Sequence, residues 1–306
     1  MNKGIVVFSG YDGISGAHIA LDRVGIMVDL YLASELLMIE KKNGKLKFNP
    51  AVRITQFNYP DTVQLGDIRN INGYPLRGFV DLFTGGSPCQ SFSNAGPRKG
   101  FDGKSGLFWE WVRLKNEILP EYWFFENVRM KKEWEDIISN ALGIQPIHTN
   151  SSRVSGQNRP RSYWSNIPYT EINDKKILLG DVVLGAITGV SQHGKAIPEH
   201  LKIPGGYNYK NDGWKDNIKN KANCLTTSRG SYRNIQGDRK KFTPEDCEEL
   251  QTFIKGYTNV PGVSDYERIQ ALGNSWTIDI IVEGFFKNLP WASEMKVEPI
   301  TNFLKV

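Results

Sequence analysis

Along the first 170 residues, short β-branched and aromatic runs alternate with stretches of helical periodicity. Gly4 to Phe8 predicts a first strand. It breaks into the glycine-rich turn Ser9-Gly10-Tyr11-Asp12-Gly13-Ile14-Ser15-Gly16. Ala17, Ala20, Leu21 and Val24 then recur at helical spacing, and Gly25 closes that helix. Val28, Leu30 and Leu32 alternate toward Ser34-Glu35, which predicts a second strand. Phe79 to Phe83 reads as a buried strand, stopped by Gly85-Gly86 and Pro88. Gly106 to Ile118 predicts a helix with Leu107, Trp111, Leu114 and Ile118 on one face, and its aromatics Phe108, Trp109 and Trp111 are expected in the core. Tyr122-Trp123-Phe124-Phe125 predicts a further buried strand that ends in Glu126-Asn127-Val128. Strands separated by helices predict an α/β fold.

The pattern fades from about Thr170 to Lys241, where Lys, Asn, Gly, Thr and Ser dominate. This stretch is expected to form a small irregular β domain. Thr243-Pro244-Glu245-Asp246 then reads as a capping box with proline at the first helical position, and its helix is expected to carry Cys247, Leu250 and Ile254 inward. The predicted organisation is a large domain of residues 1–170 and 262–306, with a small domain of residues 171–261.

Composition narrows the classes. A chain of 306 residues with 40% hydrophobic residues can bury a sizeable core. The net charge of +5 permits a polyanionic partner without requiring one. Three cysteines, Cys89, Cys224 and Cys247, are too few and too scattered for a disulfide framework or a zinc site, and the four histidines form no ligand-spaced cluster. No apolar run approaches the roughly 20 residues of a membrane helix. The first strand begins at once, so no leader is expected and a reducing cytoplasmic compartment is.

Four places can carry chemistry. Cys89 follows a strand and two glycines, a rigid but reachable position for a nucleophile at the carboxyl end of a sheet strand. Strand, glycine turn, helix, strand and then Glu35 follow the logic of a nucleotide-binding βαβ unit, in which the carboxylate grips ribose hydroxyls. Glu126 follows four aromatic residues, and burial there would favour its protonated form; alternatively it caps the next helix. Arg159 and Arg161 are two apart on an extended stretch and would share a face.

Taken in order, these strings resemble the motifs of the DNA cytosine-5 methyltransferases. Pro88-Cys89-Gln90, Glu126-Asn127-Val128, Gln157-x-Arg159-x-Arg161 and Gly273-Asn274-Ser275 match that family's elements in the right sequence, and the resemblance runs from residue 5 to about 286. Tyr11-Asp12-Gly13-Ile14-Ser15-Gly16 matches its first motif, with Tyr for the usual Phe and Ser15 where Gly is common. The form Asp-Gly-Ile, with Val28 to Glu35 after it, looks most like the animal de novo DNA methyltransferases.

The resemblance implies a Rossmann-like S-adenosylmethionine-dependent methyltransferase domain with a small β-rich target-recognition domain. Tyr11, Asp12, Gly13, Ile14 and Ser15 would hold the methionine part of S-adenosylmethionine, Glu35 the ribose, and Asp67 with Ile68 the adenine. Pro88, Leu107, Asn274 and Ser275 would complete the cofactor site. Cys89 would be the nucleophile, Gln90 its neighbour in the catalytic loop, Glu126 the acid, and Arg161 the group that reaches the base and Glu126; Arg159 would hold backbone or phosphate. Gln157, Ser93, Arg98, Arg229 and Arg233 would meet the substrate, Arg98 from a basic loop, Gly96 to Phe101, that closes over DNA. No metal is implied. The expected partner is double-stranded DNA, met by a monomeric, prokaryotic or phage-encoded enzyme, with a cognate restriction endonuclease as a genetic partner. The chain would be little more than a catalytic core. Three alternatives compete: a transfer-RNA cytosine methyltransferase, an inactive DNA-binding relative, and a Rossmann-type oxidoreductase.

Overall fold

The computed structural model describes residues 4–40, 43–88, 104–182, 221–225, 232–235 and 238–293. Its centre is a seven-stranded sheet. In chain order the strands are β1 (Ile5–Gly10), β2 (Val28–Ser34), β3 (Met38–Glu40), β4 (Leu46–Phe48), β5 (Val63–Gln64), β6 (Leu82–Gly85), β7 (Tyr122–Val128), β8 (Ile147–Asn150), β9 (Gln157–Asn158) and β10 (Pro160–Ser165). The sheet order is β5-β2-β1-β6-β7-β10-β8. The first five of these run parallel, and β10 lies antiparallel to both β7 and β8.

The chain steps outward from β1 to β2 and β5, then crosses back to β6 on the other side of β1. That reversal leaves a crevice at the carboxyl ends of β1 and β6, the place where open α/β sheets take their ligands. The expected α/β class is therefore the observed one.

Side-chain alternation divides the core between the two faces. Phe125 of β7 joins Phe8, Phe83, Trp111, Trp123 and Trp164 on one face. Phe124 joins Val7, Leu82, Tyr163, Ile281 and Phe285 on the other. The helices α1 (Gly16–Arg23), α2 (Pro50–Asn58), α3 (Phe108–Ile118), α4 (Lys132–Leu142) and α5 (Leu179–Val182) precede α6 (Pro244–Leu250), α7 (Asp265–Asn274) and α8 (Ile278–Gly284). Local signals explain several ends. Gly25, at φ 67°, lies just past α1 in a conformation that favours glycine. Thr243 and Asp246 exchange both bonds of a capping box at α6, and Ser264 and Glu267 do so at α7.

Three local expectations are corrected. The strand predicted from Phe79 begins only at Leu82, and Phe79 is 70% exposed. Val80 is buried and the Asp81 carboxylate accepts from the Val6 N–H, so the run is a lead-in rather than a strand. Strand β7 ends at Val128 as expected, held by pairing with β10. Trp109 is exposed, unlike its neighbours Phe108 and Trp111. Helix α6 ends at Leu250 and leaves Ile254 68% exposed; Cys247 and Leu250 do face inward.

Residues 242–260, grouped by composition with the small domain, pack in the core beside β1 and α1. Phe242, Cys247, Leu250, Phe253, Tyr257 and Val260 share a cluster with Ile14, Ala17 and Leu272. The Tyr257 hydroxyl donates to the Ile14 carbonyl at 2.9 Å. Of the remaining small-domain stretch, the described parts are β11 (Ala222–Asn223), which pairs with β9, and a hairpin of β12 (Tyr232–Ile235) and β13 (Asp238–Lys241).

Candidate active site

A cavity of about 420 Å³ opens at the crevice beside β1 and β6. That volume suits a small organic ligand. Tyr11, Asp12, Gly13 and Ile14 line it, as do Glu35, Asp67, Ile68, Pro88, Leu107, Asn274 and Ser275. Glu126, Arg159 and Arg161 line the same cavity. Residues predicted from eight separate stretches thus meet in one place.

The first turn is shaped by its backbone. Gly13 has φ 61° and Tyr11 φ 59°. The Tyr11 hydroxyl donates across the cavity wall to the Leu107 carbonyl at 2.7 Å. The Asp12 carboxylate turns into the protein, where Tyr31 and Ser15 donate to it at 2.8 and 2.6 Å. Ser15 departs from expectation. It is fully buried in the left-handed region at φ 57°, it bonds Asp12 and Thr55, and it does not line the cavity. Its work is to fix the turn from behind.

Glu35 emerges from β2 into the cavity. Burial pushes its carboxyl up, and N–H groups of Leu36 and Gly13 with the Asn49 amide oppose that rise. These donors lie 3.0, 3.1 and 3.2 Å away. Oε1 accepts from Leu36 and Asn49, and Oε2, which accepts only from Gly13, keeps lone-pair capacity for a ligand hydroxyl. Asp67 accepts from the Arg69 guanidinium and backbone N–H, and this hydrogen bonding holds its carboxyl below the usual range.

Strand β6 leads through Gly86 and Ser87 to Pro88, the last described residue before Cys89. Asn127, on the adjoining strand, donates to the Ser87 carbonyl and hydroxyl at 3.3 Å each. Cys89, Gln90, Ser93 and Arg98 lie outside the described residues, as do Arg229 and the side chain of Arg233.

Glu126 points to the same face as Phe124. The Arg161 Nε lies 2.8 Å from its Oε1, and both side chains are only 12% exposed. Burial pushes the Glu126 carboxyl up, while Arg161, Arg159 and the Trp276 indole N–H pull it down; the net direction is upward. A buried carboxyl that keeps its proton beside a fixed guanidinium is suited to act as a general acid. Helix α4 begins with Lys131 as its N-cap, so Glu126 has no capping role there.

The arginine pair splits its tasks. Arg159 is buried, and it donates to the carbonyls of Leu225, Gly273 and Ser275 at 2.9, 2.9 and 2.8 Å. It thereby clamps the Asn274-Ser275 segment to the cavity. Gln157, expected at the substrate, is fully buried instead. Its amide donates to the Leu250 carbonyl at 2.6 Å and to Gln251 Oε1 at 2.9 Å, which joins β9 to the end of α6.

Three contributors escaped the sequence reading. Trp276 sits between Gly86 and Glu126. Asn49 both caps α2 and grips Glu35. Cys224 lies against the two arginines. Only Trp276 carried a local signal, since it follows the Asn274-Ser275 motif directly.

The cavity is lined by the carboxyl groups of Glu35, Asp67 and Glu126, and each of its three arginines already has an acidic or carbonyl partner. Such a wall accepts hydroxyls and positive charge and offers little to a phosphate. Fold and site together define an α/β protein with a ligand cavity at the switch point of its sheet. The structure of the Entamoeba histolytica methyltransferase EhMeth superposes with a TM-score of 0.64 at 19% identity, covering 92% of this chain and 97% of that one. A putative DNA modification methyltransferase of an E. coli prophage gives 0.59 at 17% identity, covering 92% and 98%.

Residues 6–140, under half of the chain, match the family model of the C-5 cytosine-specific DNA methylases. The orphan methyltransferase M.Rho11sI of Bacillus phage rho11s is 38% identical over 124 residues, which is 40% of this chain and 23% of the relative. The type II methyltransferase M.AquIA of Picosynechococcus is 37% identical over 109 residues, 32% of this chain and 42% of the relative. The matched part thus spans well under half the length of these curated relatives.

Proposed function

We propose that the chain is a DNA cytosine-5 methyltransferase that uses S-adenosylmethionine as methyl donor. The observation that carries this reading is the buried Glu126–Arg161 pair in one cavity with Glu35 and Asp67, the three residues before Cys89 (Gly86, Ser87 and Pro88) being part of the same wall. The acid-lined cavity fits a donor that is a nucleoside with a sulfonium charge and no phosphate. Glu35 would hold the ribose hydroxyls, Asp67 and Ile68 the adenine, and the Tyr11–Ile14 turn with Asn274 and Ser275 the amino-acid portion. When bound, S-adenosylmethionine supplies the methyl group that C5 of cytosine takes.

The chain's own groups make C5 reactive. The Cys89 thiolate adds to C6, and the electron pair of the C5–C6 double bond is released toward C5 and the ring. Glu126 delivers a proton to N3 and so stabilises that charge. Arg161 holds O2 of the base and aims Glu126. After C5 is substituted its proton leaves to water, the sulfur–C6 bond breaks to release the Cys89 thiolate, and the N3 proton returns to Glu126. A stacked base is out of reach, so the cytosine must be flipped out, at a cost of a few kcal/mol. Arg98 and the stretch of residues 171–241 would offset that cost through phosphate and base contacts.

The same reading has the protein act as a monomer on double-stranded DNA in a bacterial cytoplasm, either beside a restriction endonuclease or as an orphan enzyme. Among the described residues no helix is long and apolar enough to cross a membrane. The test is bisulfite sequencing of DNA from cells expressing the protein. Methylcytosine at one short recurrent sequence is expected for the wild type and none for Cys89→Ser, whose hydroxyl is a far weaker nucleophile. Unmodified DNA in both, with modified RNA in the first, would overturn the choice of substrate.

A further inference from the structure

We propose that Cys224 is a positioning residue, whose sulfur holds the Arg159 and Arg161 guanidiniums and offsets their charge so that Glu126 keeps its proton. This rests on the reading of Glu126 as the acid at cytosine N3. Cys224 lies 65 residues from Arg159 in sequence. Its Sγ is 3.2 Å from Arg159 Nη1 and 3.9 Å from Arg161 Nη2. Arg161 meets Glu126 through its Nε. The order in space is thus carboxyl, guanidinium, sulfur. Pairing of β11 with β9 fixes the thiol there, because Ala222 and Asn223 lie in register with Gln157 and Asn158.

The electrostatics follow from this geometry. Burial raises the Cys224 thiol, but Arg159 and Arg161 outweigh it and bring the thiol below its ordinary value. The charged groups facing it are these two arginines. Those facing Glu126 are Arg161 and Arg159, with the Trp276 N–H beside them and Tyr163 opposite on β10. Burial keeps Tyr163 neutral by raising its hydroxyl far above the usual value. The two arginines therefore favour loss of the Glu126 proton, and negative charge drawn onto the sulfur on their other side counters them. Without that sulfur Glu126 would ionise at lower pH.

Two measurements test the proposal. The first is single-turnover methyl transfer to a cytosine duplex against pH, for wild type, Cys224→Ser and Cys224→Ala. In both variants the alkaline fall of the rate should move to lower pH by about 0.5 unit or more, a smaller step than the roughly 1–3 units of a directly adjoining charge. A lower rate with an unmoved alkaline limb would mean a merely structural role and would overturn the proposal, as would wild-type behaviour. The second measurement does not depend on activity. Alkylation of Cys224 by iodoacetamide, followed on its own peptide by mass spectrometry, should titrate below the ordinary thiol value of about 8.5 and move upward in Arg161→Gln. A midpoint at or above the ordinary value overturns the pairing. If wild type methylates no duplex, the functional reading fails instead, and the alkylation midpoint alone decides the thiol–arginine contact.

Discussion

Gly85 and Gly10 sit side by side on β6 and β1, and the Trp111 indole lies across them. A Cβ built on Gly85 would come within 2.4 Å of Trp111 Nε1 and 2.7 Å of the Gly10 carbonyl oxygen. Neither neighbour can yield. Trp111 is fully buried, stacks on Phe83 at 4.7 Å and donates to the Thr84 carbonyl at 3.2 Å. The Gly10 oxygen belongs to a central strand. Overpacking by one methyl group costs about 1–3 kcal/mol, and a 1 Å overlap against backbone and a locked indole belongs at the upper end. Gly85→Ala should therefore lose about 3 kcal/mol and melt roughly 6–12 °C lower by circular dichroism. Trp111→Phe in the same chain should lessen the penalty, because it removes the nearest atom. Gly86→Ala is the contrast. Its Cβ would lie 3.1 Å from the Glu126 carbonyl, 3.1 Å from Glu126 Oε2 and 3.3 Å from Trp276 Nε1. A shift of a few tenths of an ångström relieves this, so stability should stay within about 1 kcal/mol. Glu126 moves in the process, and methyl transfer should fall about 10- to 100-fold. A Gly85→Ala protein as stable as wild type, or a fully active Gly86→Ala protein, would refute the packing argument.

Glu126→Gln keeps the shape but cannot deliver a proton, so single-turnover methyl transfer should drop by about 10²–10⁴-fold; a near-normal rate would remove Glu126 from the chemistry. Glu267 lies 2.6 Å from Lys47, and although burial raises its carboxyl, Lys47 with the Ser264 N–H and hydroxyl bring it down to about 2. Its stabilising share, cut by solvent screening at this surface pair to about 1 kcal/mol or less, is complete above the unfolded value of 4.5 and fades as pH falls toward 2; denaturation of Glu267→Gln against pH should lack that component. Arg229→Ala or Arg233→Ala should relax sequence choice next to the modified cytosine by roughly 1–3 kcal/mol if the side chain reads a base, whereas uniform weakening and a shallower salt slope would mark a phosphate contact. Identical methylation maps for both variants and wild type would move target reading to the stretch from Gln192 to Trp214.

What the sequence determined by itself lies in short segments. The Tyr11–Ile14 turn, the acid at the end of β2, the two capping boxes and the aromatic run of β7 are set by neighbours a few residues apart. Backbone preference and side-chain period act over that range. The order of those segments also indicated which residues would meet in the cavity.

The tertiary structure decided everything that depends on partners far along the chain. It turned Gln157 from a substrate contact into a buried bond to Leu250 and Gln251, more than 90 residues away. It drew Ser15 behind the turn to Thr55, and it gave Arg159 three carbonyls from two distant segments. It placed Trp276 and Cys224 on either flank of the Glu126–Arg161 pair. A buried amide or guanidinium must find hydrogen-bond partners wherever packing supplies them, and no local pattern records where that will be. Residues 242–260 went the same way. They follow the irregular stretch directly, but Phe242, Cys247, Leu250 and Tyr257 are claimed by the cluster beside β1, because burial of apolar surface depends on where the chain folds back and not on its neighbours in sequence.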